Sequence, residues 1–232
     1  MIELRGISKD YRSLRPLRIQ DLQVNQGDSI ALLGLDATAA EVLVSLITAA
    51  TLPDAGEARV LGRATSAITT ADEWMKWLEQ FGLLSNRTIL VDQVNVEQNL
   101  ALAFSLEVDD MVPALREKVH TLASELHIPD AELSRPVLHA AVPTQVRVRL
   151  GRALALDPRI LLAEHPNAML SADDTPAFAA DLSRIIASRR LTSVVITSDR
   201  AFASAVADQI LTLQPATGVL KRGSWVARLL SR

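Results

Sequence analysis

Residues 30–62 read IALLGLDATAAEVLVSLITAATLPDAGEARVLG, and this stretch decides the fold. Apolar residues lead into Gly34, and an amphipathic stretch follows from Val42, which is the strand, turn and helix order of a phosphate-binding loop. A working loop of this kind reads G-x-x-x-x-G-K-[ST]. Here Ala39 stands at the second Gly, Ala40 at the Lys and Glu41 at the Ser or Thr. The sequence keeps the frame of the loop and replaces the residues that hold phosphate and metal.

The composition indicates a globular chain with a substantial core. The 232 residues are 49% hydrophobic, which suits one large α/β domain or a core with a smaller lobe. The 24 Lys and Arg residues against 27 Asp and Glu give a net charge of -3, and aromatic residues make up only 3%. Such a chain offers neither a basic face for phosphates nor a platform for stacking bases, so we expect no nucleic-acid partner.

The sequence carries no cysteine, which excludes disulfides and thiolate metal sites and fits a reducing compartment. The first nine residues include charges and lack an apolar h-region, and no stretch approaches the roughly 18–20 apolar residues that a spanning helix requires. We therefore expect that nothing targets the chain into or through a membrane by itself.

Alternation, turn signals and proline positions predict the secondary structure. In the first half they predict antiparallel strands within 1–24 joined at 12–16, a strand at 29–33, a helix at 42–50, strands at 57–61 and 81–84, and a helix at 71–79. From residue 96 they predict a helix-rich stretch to 125, a helix from Pro143 to Leu156, strands at 160–163, 193–197 and 209–213 with a helix at 175–190, and a hairpin at 218–223. The later alternation of strand and helix is typical of a parallel sheet.

Four framework blocks carry a family resemblance over essentially the whole chain. They are LPDAGEARVLG at 52–62, VNVEQNLAL at 94–102, GRALALDPRILLAEHP at 151–166 and ADQILTL at 207–213. Together they resemble the nucleotide-binding domain of ATP-binding cassette (ABC) transporters. The resemblance implies an α/β, P-loop NTPase-like core with a mainly parallel sheet, an N-terminal antiparallel β subdomain and a helical lobe at approximately 86–150. We expect one such domain over residues 1–232.

The resemblance also assigns nucleotide-binding positions. It places an adenine-stacking aromatic at Tyr11, for which an ordinary half-exposed Tyr is an equal alternative. It places the Walker A loop at Gly34, Asp36, Ala37, Thr38, Ala39, Ala40 and Glu41, and the metal-sensing Gln at Asn86. Ala40 and Glu41 cannot replace the phosphate-binding Lys and the metal-binding hydroxyl. Ala37 and Ala39 replace glycines, so we expect the loop to be reshaped as well as to have lost its charge.

The remaining motifs of the family are altered too. The signature LSGGQ corresponds to Ala140–Thr144, where Pro143 removes a backbone donor. The Walker B carboxylate corresponds to Glu164, the catalytic Glu to His165 and the switch His to Ser198. The D-loop ends in Ser171 instead of Asp. We expect no catalytic residue among these vestigial positions, no bound metal and no cofactor; ATP and Mg²⁺ would be the cofactors if the site is functional.

Three hypotheses follow. The first is a catalytically degenerate ABC subunit that partners a membrane permease or related complex as a structural or regulatory subunit, alone or in a homo- or heterodimer with another ABC ATPase. Such a chain would be cytoplasmic and peripheral to the inner or plasma membrane through its partner. The second is an atypical ATPase that uses Glu164 and His165, for which Arg63 or Arg87 would have to reach the phosphates. The third is a soluble interaction protein that has left transport.

Three further features have plainer interpretations. Trp74 and Trp77 lie on one helix face, and we expect them to pack in the core. The arginines at positions 147, 149 and 152 predict a solvated helix face with one internal ion pair. Asp173 and Asp174 suit the start of a helix.

Overall fold

The computed structural model describes residues 1–223. The strands are β1 (Ile2–Lys9), β2 (Leu17–Val24), β3 (Ser29–Leu33), β4 (Ala55–Val60), β5 (Arg63–Ala64), β6 (Phe81–Ser85), β7 (Ile160–Glu164), β8 (Thr192–Ile196), β9 (Gln209–Gln214) and β10 (Val219–Arg222). The helices are α1 (Ala37–Ile47), α2 (Ala71–Leu78), α3 (Val96–Ala101), α4 (Pro113–Glu125), α5 (Asp130–Leu133), α6 (Val142–Leu154), α7 (Thr175–Ser188) and α8 (Arg200–Val206).

Two sheets organise the chain. The first is antiparallel in the order β2-β1-β4-β5, which confirms the antiparallel β subdomain predicted at the N-terminus. The second has the order β10-β9-β3-β8-β7-β6, and its five strands from β9 to β6 run parallel. Only β10 is antiparallel in this sheet, because a short turn joins it to β9. The mainly parallel core is therefore as predicted.

Strand alternation divides the apolar residues between two cores. Ile160 and Leu162 of β7 face the core shared with the antiparallel sheet and α1, whereas Leu161 and Ala163 face the core shared with the helices after β6 and with α7. Successive side chains of a strand point to opposite faces, so a strand covered on both sides reads as a continuous apolar run. This is why the run at 160–163 is a reliable strand signal.

Helices α3 to α6 follow β6 and precede β7, in the stretch predicted as a helical lobe. α3 contacts α4, α5 and α6, and the buried residues of these helices join one core. The division into a single domain over 1–232 remains a prediction, and its residues 224–232 lie outside the described ones. Within residues 1–223, the helices are all too short or too polar to cross a bilayer.

The start of α1 differs from the prediction. The helix begins at Ala37 and ends at Ile47, whereas the amphipathic pattern predicted 42–50. Asp36 caps the helix, and the alanines that replace glycines favour helical backbone, so the loop becomes the first turn of the helix. The prediction also missed α8, which is short and is capped by Asp199 directly before it.

Candidate nucleotide site

The carboxyl ends of the parallel strands meet at one edge of the sheet, which is where ligands bind in folds of this type. Ser85 ends β6 and lies beside Glu164, which ends β7, as parallel partners. Helix α1 follows β3 at the same edge and contacts β7. We call the residues around these three chain segments the carboxyl-edge site. It contains most of the positions that the resemblance assigned to nucleotide and metal.

The N-terminus of α1 is capped by Asp36. Asp36 Oδ1 accepts a hydrogen bond from the N–H of Ala39 at 2.8 Å, and its carbonyl oxygen accepts one from the N–H of Ala40 at 2.9 Å. Helix N-termini bind anions through backbone amides that have no partner within the helix, and through the helix dipole. Here a carboxylate of the chain itself takes the position of the anion.

The residues at the Lys position and at the second Gly position of the loop pattern are buried. Ala40 is completely buried and Ala39 is 7% exposed, both within the core beside the antiparallel sheet. Ala37 and Thr38 are exposed but carry no charge. Neither Ala37 nor Ala39 is among the residues with positive φ, so the reshaping of the loop avoids the left-handed strain expected for alanine there. The first turn of α1 thus presents no cation to a phosphate.

Gly34 has a structural reason to be glycine. Its φ is +90°, and a Cβ atom at this position would lie 2.6 Å from the carbonyl oxygen of Leu213 in β9. The turn after β3 therefore passes so close to the neighbouring strand that only glycine fits. This requirement is independent of any ligand.

A bridge of three charged side chains spans the carboxyl-edge site. The Nη2 atom of Arg87 donates to both carboxylate oxygens of Glu164 at 2.7 Å, and its Nη1 lies 2.5 Å from Glu41 Oε1. The side chain of Glu164 is only 8% exposed, whereas those of Arg87 and Glu41 are about half exposed. Glu41 and Glu164 stand at the two positions that the resemblance assigned to metal ligands. A guanidinium lies between them.

Two polar contacts complete this arrangement. Ser85 Oγ donates to Glu164 Oε2 at 3.1 Å, and the Asn86 amide Nδ2 donates to the carbonyl oxygen of His165 at 3.2 Å. Asn86 is thus engaged with the backbone after β7. Arg63, the other cation considered for the phosphates, pairs with Glu73 instead.

His165 and Ser198 do not form an acid–base pair. His165 has a left-handed backbone with φ of +43°, and its buried Nε2 has no hydrogen-bond partner among the described residues. Ser198 is exposed. Between β7 and β8 a polar network joins Thr197, Asn167 and Asp199, in which Thr197 Oγ1 donates to Asn167 Oδ1 at 3.0 Å and Asn167 Nδ2 donates to Asp199 Oδ2 at 3.2 Å. Sequence reasoning did not single out this network.

The other assigned positions lie in ordinary structural settings. Tyr11 is partly buried against the core beside the antiparallel sheet, which is compatible with both interpretations of that residue. Ala140 is buried, and α6 begins at Val142 without a side-chain cap, with Pro143 in its first turn as predicted. Ser171 pairs with Asp174 at the start of α7, where Asp174 was expected.

The arginines of α6 correct one prediction. Arg147 forms the expected internal ion pair, with its Nη2 2.6 Å from Asp181 Oδ2. The face is not solvated, however: Arg149 is 8% exposed, and its Nε donates to the carbonyl oxygen of Thr88 at 3.0 Å. Arg152 Nη1 donates to the carbonyl oxygen of Ile89 at 2.7 Å. Burial lowers the pKa of Arg149 and of Arg152 from the usual value, and their mutual repulsion lowers that of Arg149 further.

The tryptophans pack as predicted, with Trp77 buried against Phe81.

The side chains of the carboxyl-edge site do not fit a magnesium ion with a nucleotide phosphate. The position between Glu41 and Glu164 holds the Arg87 guanidinium, and the amide at the start of α1 is bonded to Asp36. Three carboxylates and one guanidinium leave a net negative charge, which opposes a polyphosphate. Residues 1–223 contain no group of three or more His, Cys, Asp or Glu side chains arranged to hold a metal ion.

Comparisons with known proteins place the chain in a family. The model of the ABC transporter family matches residues 17–168. The sulfate/thiosulfate import ATP-binding protein CysA of Pseudomonas putida is 28% identical over 215 residues, covering 91% of this chain and 63% of the relative. The same-named protein of Thermosynechococcus vestitus is 28% identical over 219 residues and is covered to 61%. The chain therefore spans about three-fifths of the length of these relatives.

Solved structures agree on the fold. A dimeric bacterial ABC transporter cassette superposes with a TM-score of 0.79 at 19% identity, covering 96% of this chain and 98% of that one. The protein cbiO1 from Clostridium perfringens, part of the ABC transporter complex cbiONQ, gives 0.79 at 16% identity, covering 96% and 87%. The family match over well over half of the chain, together with this fold, establishes that the chain belongs to the ABC transporter family.

Proposed function

We propose that this chain is a catalytically degenerate ABC transporter subunit, which supports a membrane permease or a related transport complex structurally or by regulation and does not hydrolyse ATP. The observation that carries the proposal is the hydrogen bond from the Ala39 N–H to Asp36 Oδ1. It supplies an internal anion where a phosphate would bind the helix N-terminus. The buried Ala40 beside it offers no cation.

The framework around the proposed partner surface supports a retained role. The block at 94–102, near which domains of this family dock their membrane partner, forms α3 with a complete capping box between Asn95 and Gln98. The fully buried amide of Asn99 donates to the carbonyl oxygens of Val91, Val94 and Asn95 and accepts from the Val91 N–H. Such a satisfied buried network rigidifies the loop before α3. A decaying chain would have lost it together with the site.

The relatives suggest the class of complex. Their names denote ATP-binding proteins for sulfate and thiosulfate import, and we carry over only the coarser role of an ABC transporter subunit at 28% identity. The altered signature at Ala140–Thr144 adds a constraint. In this family each composite site joins the Walker A loop of one subunit to the signature of the other, so a homo- or heterodimer with this chain would have both sites impaired. We place the chain at the cytoplasmic face of the membrane, held there by its partner.

Nucleotide titration tests the loss of function directly. We expect isothermal titration with ATP and Mg²⁺ to give no saturable heat at millimolar ATP, and turnover to stay at background. An ABC cassette with an intact Walker A loop serves as the positive control for both assays. Micromolar binding that weakens in Tyr11→Ala, or turnover that falls in Glu164→Gln, would refute the proposal and favour the atypical ATPase.

Co-purification tests the partner. The tagged full chain is expected to recover a polytopic permease in fixed stoichiometry from detergent-solubilised membranes of its own host. Ile89 is 80% exposed in the loop before α3, so Ile89→Glu is expected to abolish recovery. Leu156→Glu, at a residue 61% exposed beyond the end of α6, is the matched control and should have no effect. Recovery of soluble proteins alone would favour the third hypothesis, an interaction protein outside transport.

A further inference from the structure

Arg87 contacts three parts of the fold, two through its side chain and one through its backbone N–H. It lies in the segment after β6, which we call the post-β6 loop (residues 86–89). Its guanidinium bonds Glu164 at the end of β7 through Nε and Nη2 and reaches Glu41 on α1 through Nη1. Its own backbone N–H donates to Ser85 Oγ at 3.2 Å, and that hydroxyl donates to Glu164. Arg87, Ser85 and Glu164 are therefore joined in a closed ring of hydrogen bonds around the buried carboxylate of Glu164.

The rest of the post-β6 loop is held from the other side. Asn86 donates to the carbonyl oxygen of His165, and Arg149 and Arg152 of α6 donate to those of Thr88 and Ile89. Every residue of the loop thus has a bond that ties it to α1, to β7 or the residue after it, or to α6. Hydrogen bonds from side chains to backbone carbonyl oxygens thus connect the sheet edge with α6.

The charges require a cation at this point. Glu164 is nearly buried and lies within reach of the same guanidinium as Glu41. Two carboxylates brought this close repel each other unless a positive charge lies between them, and a buried charge without a partner is costly. In a metal-dependent site the ion supplies that charge. In this chain Arg87 supplies it, through bidentate bonds that suit a carboxylate.

We propose that Arg87 is the resident cation of the carboxyl-edge site in place of a divalent metal, and that it locks the post-β6 loop to α1 and β7 without any ligand. This inference rests on the proposed function, because the resemblance to the family assigns the metal position to Glu41 and Glu164. It adds to the proposed function how the carboxyl-edge site is regulated. The loop that leads to the proposed partner surface keeps one conformation, and partner binding is independent of ATP and of Mg²⁺.

The test uses the full chain with Arg87→Ala, and Arg116→Ala as the matched control. Arg116 is also about half exposed and pairs with a glutamate, Glu97, but it lies on α4. Hydrogen exchange measured by mass spectrometry is expected to quicken about tenfold or more over the post-β6 loop in Arg87→Ala, since a charge-assisted bond is lost. In Arg116→Ala, hydrogen exchange of the post-β6 loop should equal that of the wild type. Adding Mg²⁺ to the wild type should not change it.

Manganese supplies the specific readout. Free Mn²⁺ followed by electron paramagnetic resonance should show no saturable site in the wild type or in Arg116→Ala. In Arg87→Ala it should show one equivalent of bound Mn²⁺. This variant should have a lower melting temperature than the wild type, and adding Mn²⁺ should largely restore it. Unchanged exchange of the loop, or no gain of Mn²⁺ binding in Arg87→Ala, would overturn the inference. So would a wild type that binds Mn²⁺ at this site.

A double variant keeps the test decisive if Arg87→Ala does not fold. Arg87→Gln combined with Glu164→Gln removes both charges of the Arg87–Glu164 pair. It is expected to fold, to show the faster loop exchange, and to bind no Mn²⁺. Binding of Mn²⁺ to the double variant would remove Glu164 from the cation position and refute the inference. None of these results depends on nucleotide binding. A failure of this inference can therefore be distinguished from a failure of the proposed function.

Discussion

The carboxylate of Asp36 accepts the backbone N–H of Ala39 at 2.8 Å, which makes Asp36 the N-cap of α1. The bond satisfies one of the free amides that begin every helix. The same carboxylate lies where a helix dipole attracts an anion. One residue therefore stabilises the fold and opposes a phosphate at the same place.

Replacement of the cap should separate these two effects. Asp36→Ala is expected to lower the free energy of unfolding by about 1 kcal/mol, because the cap bond is lost. Asp36→Asn retains an acceptor and should lose much less, while it removes the negative charge. Urea denaturation measures the stability, and thermal shift with inorganic phosphate measures anion binding, which should rise in both variants. An Asp36→Ala variant as stable as the wild type would contradict the capping role.

A lysine at position 40 should not create a phosphate site. Ala40 is completely buried, so Ala40→Lys forces a long charged side chain into the core and should destabilise the chain by about 3 kcal/mol or more. The exposed neighbour Thr38 is the matched control, and Thr38→Lys should change stability by less than about 0.5 kcal/mol. Chemical denaturation and ATP titration of both variants check this. A stable Ala40→Lys variant that binds ATP would show that the position faces the groove.

Gly34 should tolerate no side chain. Gly34→Ala places a methyl group 2.6 Å from the Leu213 carbonyl oxygen at a φ of +90°. We expect a loss of at least about 2 kcal/mol, from left-handed strain and from the clash with backbone. Gly27→Ala is the control, because Gly27 has a φ of +82° but open space around its Cβ position. Equal losses in the two variants would assign the whole cost to the backbone conformation and none to the close approach.

Acid stability should depend on an ion pair between helices. Arg189, which directly follows α7, donates to both oxygens of Glu125 in α4, and these hydrogen bonds hold the pKa of Glu125 below its usual value. A lowered pKa in the folded state stabilises the protein above the unfolded pKa of about 4.3, and this stabilisation is lost as the pH falls through the folded value. Glu125→Gln should therefore cost about 1–3 kcal/mol at neutral pH and much less in strong acid.

Urea denaturation from about pH 7 down to about pH 3 measures that difference. The surface pair of Glu3 and Arg5 provides the control, since Glu3→Gln should change stability by less than about 0.5 kcal/mol throughout. A cost of Glu125→Gln that stays constant across this range would mean that packing, and not the charge of Glu125, links α4 to α7.

Local sequence patterns predicted most of the fold because they reflect local physics. The strand at 160–163 is apolar on both faces, and the proline at position 143 lies in the first turn of a helix, where its fixed φ fits. The start of α1 was missed although Asp36 is a good cap and the alanines after it are strong helix formers. The comparison with a phosphate-binding loop outweighed these local signals in the prediction, and the physical propensities determined the structure.

The α6 arginines show the opposite case. Their spacing along the helix gave no sign that Arg149 would be buried under the loop after β6 or that Arg152 would bond its backbone. Both contacts depend on how α6 packs against β6. A helical pattern states which residues share a face, but it does not state what covers that face.

The sequence by itself indicated the family and most of the strand and helix order, and it has Ala40 and Glu41 where a G-x-x-x-x-G-K-[ST] loop has Lys and Ser or Thr. The tertiary structure alone decided which residues the side chains of the carboxyl-edge site contact. The parallel register puts Ser85 beside Glu164, and Arg87 reaches a carboxylate 77 residues away and a second one on α1. Periodicity and propensity act over a few residues, whereas an ion pair depends on distances in space between strands that the sheet brings together.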